Sequence, residues 1–419
     1  MKIVKVMGRE IYDSRGVPTL ECSLILENGM YVTASVPSGL SRGQHEAFEL
    51  RDNDPNRLFG MGVQKAIENL ELQIGPTLIG KEPNLIEMDL KMLEMDGTEN
   101  KSRLGANTIL AASIAIARAQ AALENIQLYE LIALFCGYES VALPFPLFNM
   151  INGGVHANNS LQVQEFMLMP VGTQNFRACL EVAVTVFHTL KHLLKENNRI
   201  VLLGDEGGFA GQFHDEQEAL DFLVAAMESA ALEKGVECAI ALDVAASQFY
   251  NPTTQLYRWK DKDITAQELI AWYETLAAQY PIYSIEDGLS EHDWQGWASM
   301  TAQLGDKLQL VGDDLFCSTP SKIARGIEGN FANSALIKPN QVGTVTETLQ
   351  AIKVCKENGW NTVVSHRSGE TEDTFIVDLA VGTSAGQIKA GSCARGERIM
   401  KYNQLLRIED MLALNLMDL

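Results

Sequence analysis

From Ile240 onward the chain repeats one pattern: a short apolar run, then a charged side chain, then Gly, Pro or Ser. The instances are AIALD ending at Asp243, YSIED with Glu286, LQLVGDD with Asp313, LIKPN with Lys338, TVVSHRSG with His366 and Arg367, and GQIKAG with Lys389. Apolar runs bounded by turn residues read as strands buried on both faces. Most are roughly 25 residues apart, room for one helix and two loops, which predicts repeated parallel β/α units. In a closed barrel of such units the carboxyl ends of all strands meet at one face, where active sites sit. Three carboxylates and two lysines are therefore expected at one mouth.

That convergence has chemical consequences. Asp243, Glu286 and Asp313 offer hard oxygen ligands, and three carboxylates crowded together repel unless a cation compensates them. Mg²⁺ suits them best, because it takes few carboxylates and completes its shell with water and substrate oxygens. Any one acid alone would more simply end a strand and meet solvent, but the common phase of all six elements speaks against that for the set. Lys338 and Lys389, beside a metal and other cations, are expected to have depressed pKa values. A neutral lysine is a general base.

Two further stretches lie upstream. NMINGGVHANNSLQVQEFM carries Asn152, two glycines, His156, Gln164 and Glu165, and VLLGDEGGF sets Glu206 between Gly204 and a Gly-Gly pair. A glycine-flanked acid after an apolar run suggests close approach of backbone to ligand.

With 419 residues the chain has room for two domains, one of them a barrel of about 250 residues. The segment YESVALPFPLF, with Pro144 and Pro146, separates them, giving an N-terminal α+β domain over 1–137 and a C-terminal TIM-like β/α barrel over 138–419. In the first, KIVKVMGREIY, TLECSLILEN and MYVTASV read as strands, with turns at Asp13 to Gly16 and Asn28-Gly29. Residues 62–134 read as helical, including the alanine-rich TILAASIAIARAQAALE, whose apolar run holds Arg118 and is expected to be too short to span a bilayer. Strands first and helices afterwards indicate α+β.

The formal net charge is −21 and no basic patch is visible, which argues against a nucleic-acid partner. An anionic substrate remains compatible, because a metal, Lys338, Lys389 and Arg367 make one site locally positive. Seven scattered cysteines without CxxC spacing read as reduced thiols, and the N-terminus shows no signal-peptide core, so a cytoplasmic protein is expected.

Taken together, VPSG at Val36 to Gly39, AFELRD at Ala47 to Asp52, DGTENKSRLGAN, GDEGGF, SIEDGLSE, VGDDLF, LIKPNQVGT, SHRSGETED and KYNQLLRIE make the chain resemble the enolase family over essentially its whole length. The resemblance implies reversible, Mg²⁺-dependent dehydration of 2-phosphoglycerate to phosphoenolpyruvate, with two Mg²⁺ per site. Asp243, Glu286 and Asp313 would hold the first ion, and Ser38 would join the second when its loop closes. Lys338 would remove the α-proton, and Glu206, supported by Glu165, would protonate the departing hydroxide. Lys389 would neutralise the substrate carboxylate, Arg367 and Ser368 would bind phosphate, and His156, Gln164 and His366 would surround the substrate. A carboxyl beside another carboxyl can hold a raised pKa, which is the expectation for Glu206 beside Glu165. The family further implies a homodimer or higher homo-oligomer and, for some members, an added cell-surface pool.

The chain departs from the family pattern at several points. VPSGLSR stands where VPSGAST is usual, placing Leu40 and Arg42 in the catalytic loop; HANNS replaces HADNN at Asn158, and GSCARGER follows Lys389. Two alternatives follow: a paralogue acting on a related phospho or phosphono acid, or a second role as a surface binding protein.

Overall fold

The computed structural model describes residues 1–39, 43 and 45–417; Leu40 and Arg42 lie outside the described residues. A three-stranded antiparallel meander opens the chain, β1 (Ile3–Tyr12), β2 (Pro18–Leu26) and β3 (Tyr31–Ser35), in the order β1-β2-β3. Helix Ala106–Glu124 packs on β2 and β3 and is buried almost all round, because its small side chains let it sit between the meander and the helices of the second part. Contrary to expectation, this helix is long and apolar enough to cross a membrane, but 78% of it is buried inside the fold, which marks a core helix.

The second part closes into an eight-stranded barrel. Its strands are β4 (Phe145–Asn152), β5 (Glu165–Met169), β6 (Ala239–Asp243), β10 (Ile282–Glu286), β11 (Gln309–Gly312), β12 (Ser334–Ile337), β13 (Asn361–Ser365) and β14 (Gly386–Lys389). Between β6 and β10 a small antiparallel sheet is inserted, β7 (Tyr250–Asn251), β8 (Leu256–Trp259) and β9 (Lys262–Ile264). Each predicted strand end is where the pattern puts it. Asp243, Glu286 and Lys389 are last residues of strands, and Asp313, Lys338 and His366 follow one residue after.

One expectation is corrected. The barrel is not built of parallel units throughout, since β5 runs antiparallel to both β4 and β6. The reversal puts the first residue of β5 at the mouth, with Glu165 in register with Asn152 on one side and Asp243 on the other. It also leaves the chain at the opposite end after Met169. Helix Phe176–Glu196 carries it back toward the mouth, and helix Glu216–Ser229 takes it down again before β6. The loop between these helices, which holds Glu206, is pinned to β4 by the Phe209 N–H donating to Met150 O. One reversed strand thus supplies two mouth loops.

Helix starts are set by side chains. Asn84, Asn175, Asp215, Thr265, Asp293 and Thr344 each accept a backbone N–H three residues on. Such caps are worth about 1 kcal/mol each. At the closed end of the barrel, amides replace hydrocarbon: Gln309 donates to Ser284 Oγ and Gln387 Oε1, and accepts from Asn361. Above them Val311, Leu336 and Val363 pack together.

The two parts are tied by buried polar contacts. Arg118 grips Asp373 with two 2.7 Å bonds, and Asp373 also accepts the Ser35 N–H. Asp89 accepts both the N–H and the hydroxyl of Thr346, and Lys101 donates to Glu347.

Candidate active site

The mouth is organised by two lysines. Lys389 Nζ donates to Asp243 Oδ2 at 2.8 Å and to both Glu286 oxygens at 2.9 Å, and lies 3.1 Å from Glu165 Oε1. Lys338 Nζ donates to Asp313 Oδ2 at 2.5 Å. The three predicted metal ligands are thus at one mouth but sorted onto different lysines. All of these acids are buried, so the ammonium groups compensate charge that water cannot reach.

Among the protein's own charges, carboxylates set the lysine pKa values. Burial acts to lower Lys338, but Asp313 and Glu286 outweigh it and hold it above the ordinary lysine value; Asp243, Glu165 and Glu286 do the same for Lys389. The depression expected above concerns these amines beside a bound metal. The same contact works in reverse on Asp313: burial would raise it, but Lys338 holds it below the usual carboxylate range. Glu286 is raised by burial and by Asp243.

A second cluster adjoins the first. Glu206 accepts from Asn149 Nδ2 at 3.1 Å and lies 3.3 Å from His156 Nδ1 and 3.8 Å from His366 Nε2. Here a pKa direction is corrected. Burial acts to raise Glu206, yet His156 pulls it well below the carboxylate range, while burial and the charge of Glu206 raise Glu165. His156 stands between the two carboxyls, 3.3 Å from Glu206 and 3.8 Å from Glu165, and the pair is pushed apart, with Glu165 the higher.

Arg367 is gripped in two places. Its Nη1 donates to Glu46 Oε2 at 2.9 Å and Asn340 Oδ1 at 3.0 Å, and its Nη2 to Glu46 Oε1 at 3.1 Å. Glu46 also accepts the Gly43 N–H, so the segment after Ser38 is joined to the barrel loop. Ser38 is fully buried; its N–H donates to Gly369 O and its hydroxyl to Asp13 Oδ2 at 2.6 Å. Arg15 Nη2 donates to Ser38 Oγ, and Arg15 Nη1 to Ser368 Oγ at 3.5 Å. Gln164 points a buried oxygen without a hydrogen-bond partner into the same region. Every predicted site residue thus lies at or beside the mouth.

Several site residues are not singled out by the sequence, although Asp287 and Asp314 stand inside SIEDGLSE and VGDDLF. Asp287 follows Glu286 with φ of 42°, which turns its carboxylate to accept the N–H groups of Asp313 and Asp314. Asp287, Asp313 and Asp314 bring oxygens within 4.8 Å of one another, as do His156, Glu165 and Glu206 with their ligand atoms. The Asp314 carboxyl is pushed up to about 8 by burial and by Asp313. Asn149, one of two amides in the otherwise apolar run FPLFNMIN, is the legible hint of a polar demand there. Glu46 has no local signal.

The donor set fits a hard divalent cation, since Asp243, Glu286, Asp313, Asp287 and Asp314 are all carboxylates. Residues 3–132 match the enolase N-terminal domain and residues 140–417 the enolase C-terminal TIM barrel domain. The chain belongs to the enolase family. It is an enolase-type hydro-lyase, from a family that is Mg²⁺-dependent and binds a small-molecule substrate.

Proposed function

We propose that this enolase-family chain dehydrates 2-phosphoglycerate reversibly to phosphoenolpyruvate, with two Mg²⁺ per site, as a cytoplasmic homo-oligomer whose domains are 1–137 and 138–419. What supports the reading most is that Lys389 contacts Asp243, Glu286 and Glu165 together, so a cation-binding group and an acid pair adjoin across one side chain. Removing a proton beside an ionised carboxylate places two negative charges on one carboxyl group, which preorganised positive charge stabilises. Asp243, Glu286 and Asp313 would hold the first ion and Ser38 the second; bound there, Mg²⁺ supplies charge stabilisation for the developing dianion.

The remaining work falls to the chain. Lys338 takes the α-proton once its link to Asp313 is loosened, since that carboxylate is what keeps it protonated. Lys389 neutralises the substrate carboxylate. Glu206, supported by the adjoining Glu165, delivers the proton to the leaving hydroxide. Arg367 presents a planar fork to phosphate oxygens, already held open by a carboxylate of matching geometry, with Ser368 beside it. His156, Gln164 and His366 complete the walls and exclude water.

The test is formation of phosphoenolpyruvate from 2-phosphoglycerate, with Mg²⁺ and after its removal by chelator, against a panel of related 2-phospho and phosphono acids. Turnover of 2-phosphoglycerate that vanishes with the metal is expected. Preference for another acid in the panel would replace the substrate, and activity unchanged by chelation would remove the metal.

A further inference from the structure

Arg398 belongs to neither cluster of the mouth, yet it touches two of its walls. It is fully buried in the first turn of helix Gly396–Met417. Its Nη1 donates to His366 Nδ1 at 2.6 Å and to Arg367 O at 2.7 Å, and its Nη2 to Asp205 O at 2.9 Å and Ser368 O at 2.7 Å. Asp205 precedes Glu206, so one side chain ties the acid-bearing loop to the loop of Arg367 and Ser368. Room for it is made by Gly391, where a Cβ would stand 2.7 Å from Arg398 Cδ.

The imidazole contact carries more than packing. A guanidinium has donors only and stays protonated, so His366 Nδ1 must offer its lone pair. A neutral imidazole with Nδ1 as acceptor carries its hydrogen on Nε2. Nε2 is the nitrogen that faces Glu206 Oε1, 3.8 Å away, and among the described residues it has no closer hydrogen-bond partner.

We propose that Arg398 is a positioning residue that fixes His366 as the neutral Nε2–H tautomer, aimed as a hydrogen-bond donor into the space beside Glu206. This rests on the proposed dehydration. In that reaction His366 hydrogen-bonds the departing oxygen, while the proton transfer stays with Glu206. A doubly protonated ring is opposed by the guanidinium, because Nδ1–H would face a donor.

The tautomer is read directly from ¹⁵N shifts of histidine-labelled wild-type protein, with His366→Gln used to assign the signal. A pyridine-like Nδ1 and a pyrrole-like Nε2 are expected; a protonated Nδ1 overturns the proposal. The functional arm compares Arg398→Lys, His366→Gln and the double variant for kcat, KM and exchange of the substrate α-proton with solvent. Arg398→Lys is expected to lower kcat for dehydration on the order of tenfold, with KM moved less and exchange retained, and the double variant to be no slower than His366→Gln. Losses that multiply in the double variant would mean that Arg398 acts independently of His366, and would overturn the proposal. Should wild type fail to dehydrate 2-phosphoglycerate, the substrate reading falls while the ¹⁵N measurement still decides the tautomer.

Discussion

At the scale of single residues, the site divides into a basic pole at Lys338 and an acidic pole at Glu206, with Lys389 between them. The division predicts separable steps. Lys338→Ala should abolish exchange of the α-proton with deuterated solvent, whereas Glu206→Gln should slow dehydration by roughly 10²- to 10⁴-fold and leave exchange measurable by NMR. Exchange persisting without Lys338 would remove it as the base. Gly39 tests the other wall, since a Cβ there would stand 2.0 Å from Arg367 Nη2 while Glu46 holds that guanidinium in place. Gly39→Ala should leave the fold intact and raise KM for the phosphorylated substrate about tenfold or more, a loss near 1.4 kcal/mol of binding. Away from the mouth, Asp378 is pushed up to about 7 by burial, against the opposing pull of Arg118. A carboxyl raised on folding stabilises the fold fully below its unfolded value of 3.8, and loses that contribution as pH rises through about 7. Asp378→Asn should therefore flatten the fall of the unfolding midpoint between those limits, by on the order of 1 kcal/mol per pH unit.

At the scale of elements, the loop after β13 is held from outside the barrel. Asp373 binds Arg118 of helix Ala106–Glu124 and the Ser35 N–H at the end of β3. Removing one partner of such a buried pair leaves the other charge unpaired, so Arg118→Leu should cost about 3 kcal/mol in chemical denaturation and loosen the Arg367 loop. An unchanged midpoint would show that the pair is dispensable. Much of this layer is legible in the sequence. Strands buried on both faces write themselves as apolar runs, so the mouth residues from Asp243 to Lys389 already stand in phase along the chain. Strand direction leaves no such mark: EFMLM reads the same either way, so the reversal of β5 is hidden even though Glu165 is recognisable as a site residue. Asp287 and Arg398 stand inside SIEDGLSE and GSCARGER, yet their roles, like that of Glu46, are unreadable because their partners lie 26, 32 and 321 residues away. The pKa direction of Glu206 is misjudged from sequence for a related reason. It depends on which charge stands nearest, and distance is not in the sequence.

At the scale of the whole molecule, a formal charge of −21 is concentrated partly in one buried mouth. A cation that binds the folded mouth and not the unfolded chain stabilises by mass action, by about 2.7 kcal/mol at a hundred times its dissociation constant. Mg²⁺ should therefore raise Tm progressively in calorimetry, and Asp243→Asn or Asp313→Asn should weaken that response while the apo protein still melts cooperatively. A Tm indifferent to Mg²⁺ would contradict a metal site in these carboxylates.

The pairing of β14 with β4 joins the last barrel strand in chain order to the first. Until Gly386–Lys389 emerges, Asp243, Glu286 and Glu165 have been synthesised without the ammonium that compensates them. Until then one edge of β4 has no partner strand in the barrel. Contacts of such long sequence separation make for slow closure and exposure to mispairing. The residue that completes the chemistry is also the one that ends the wait.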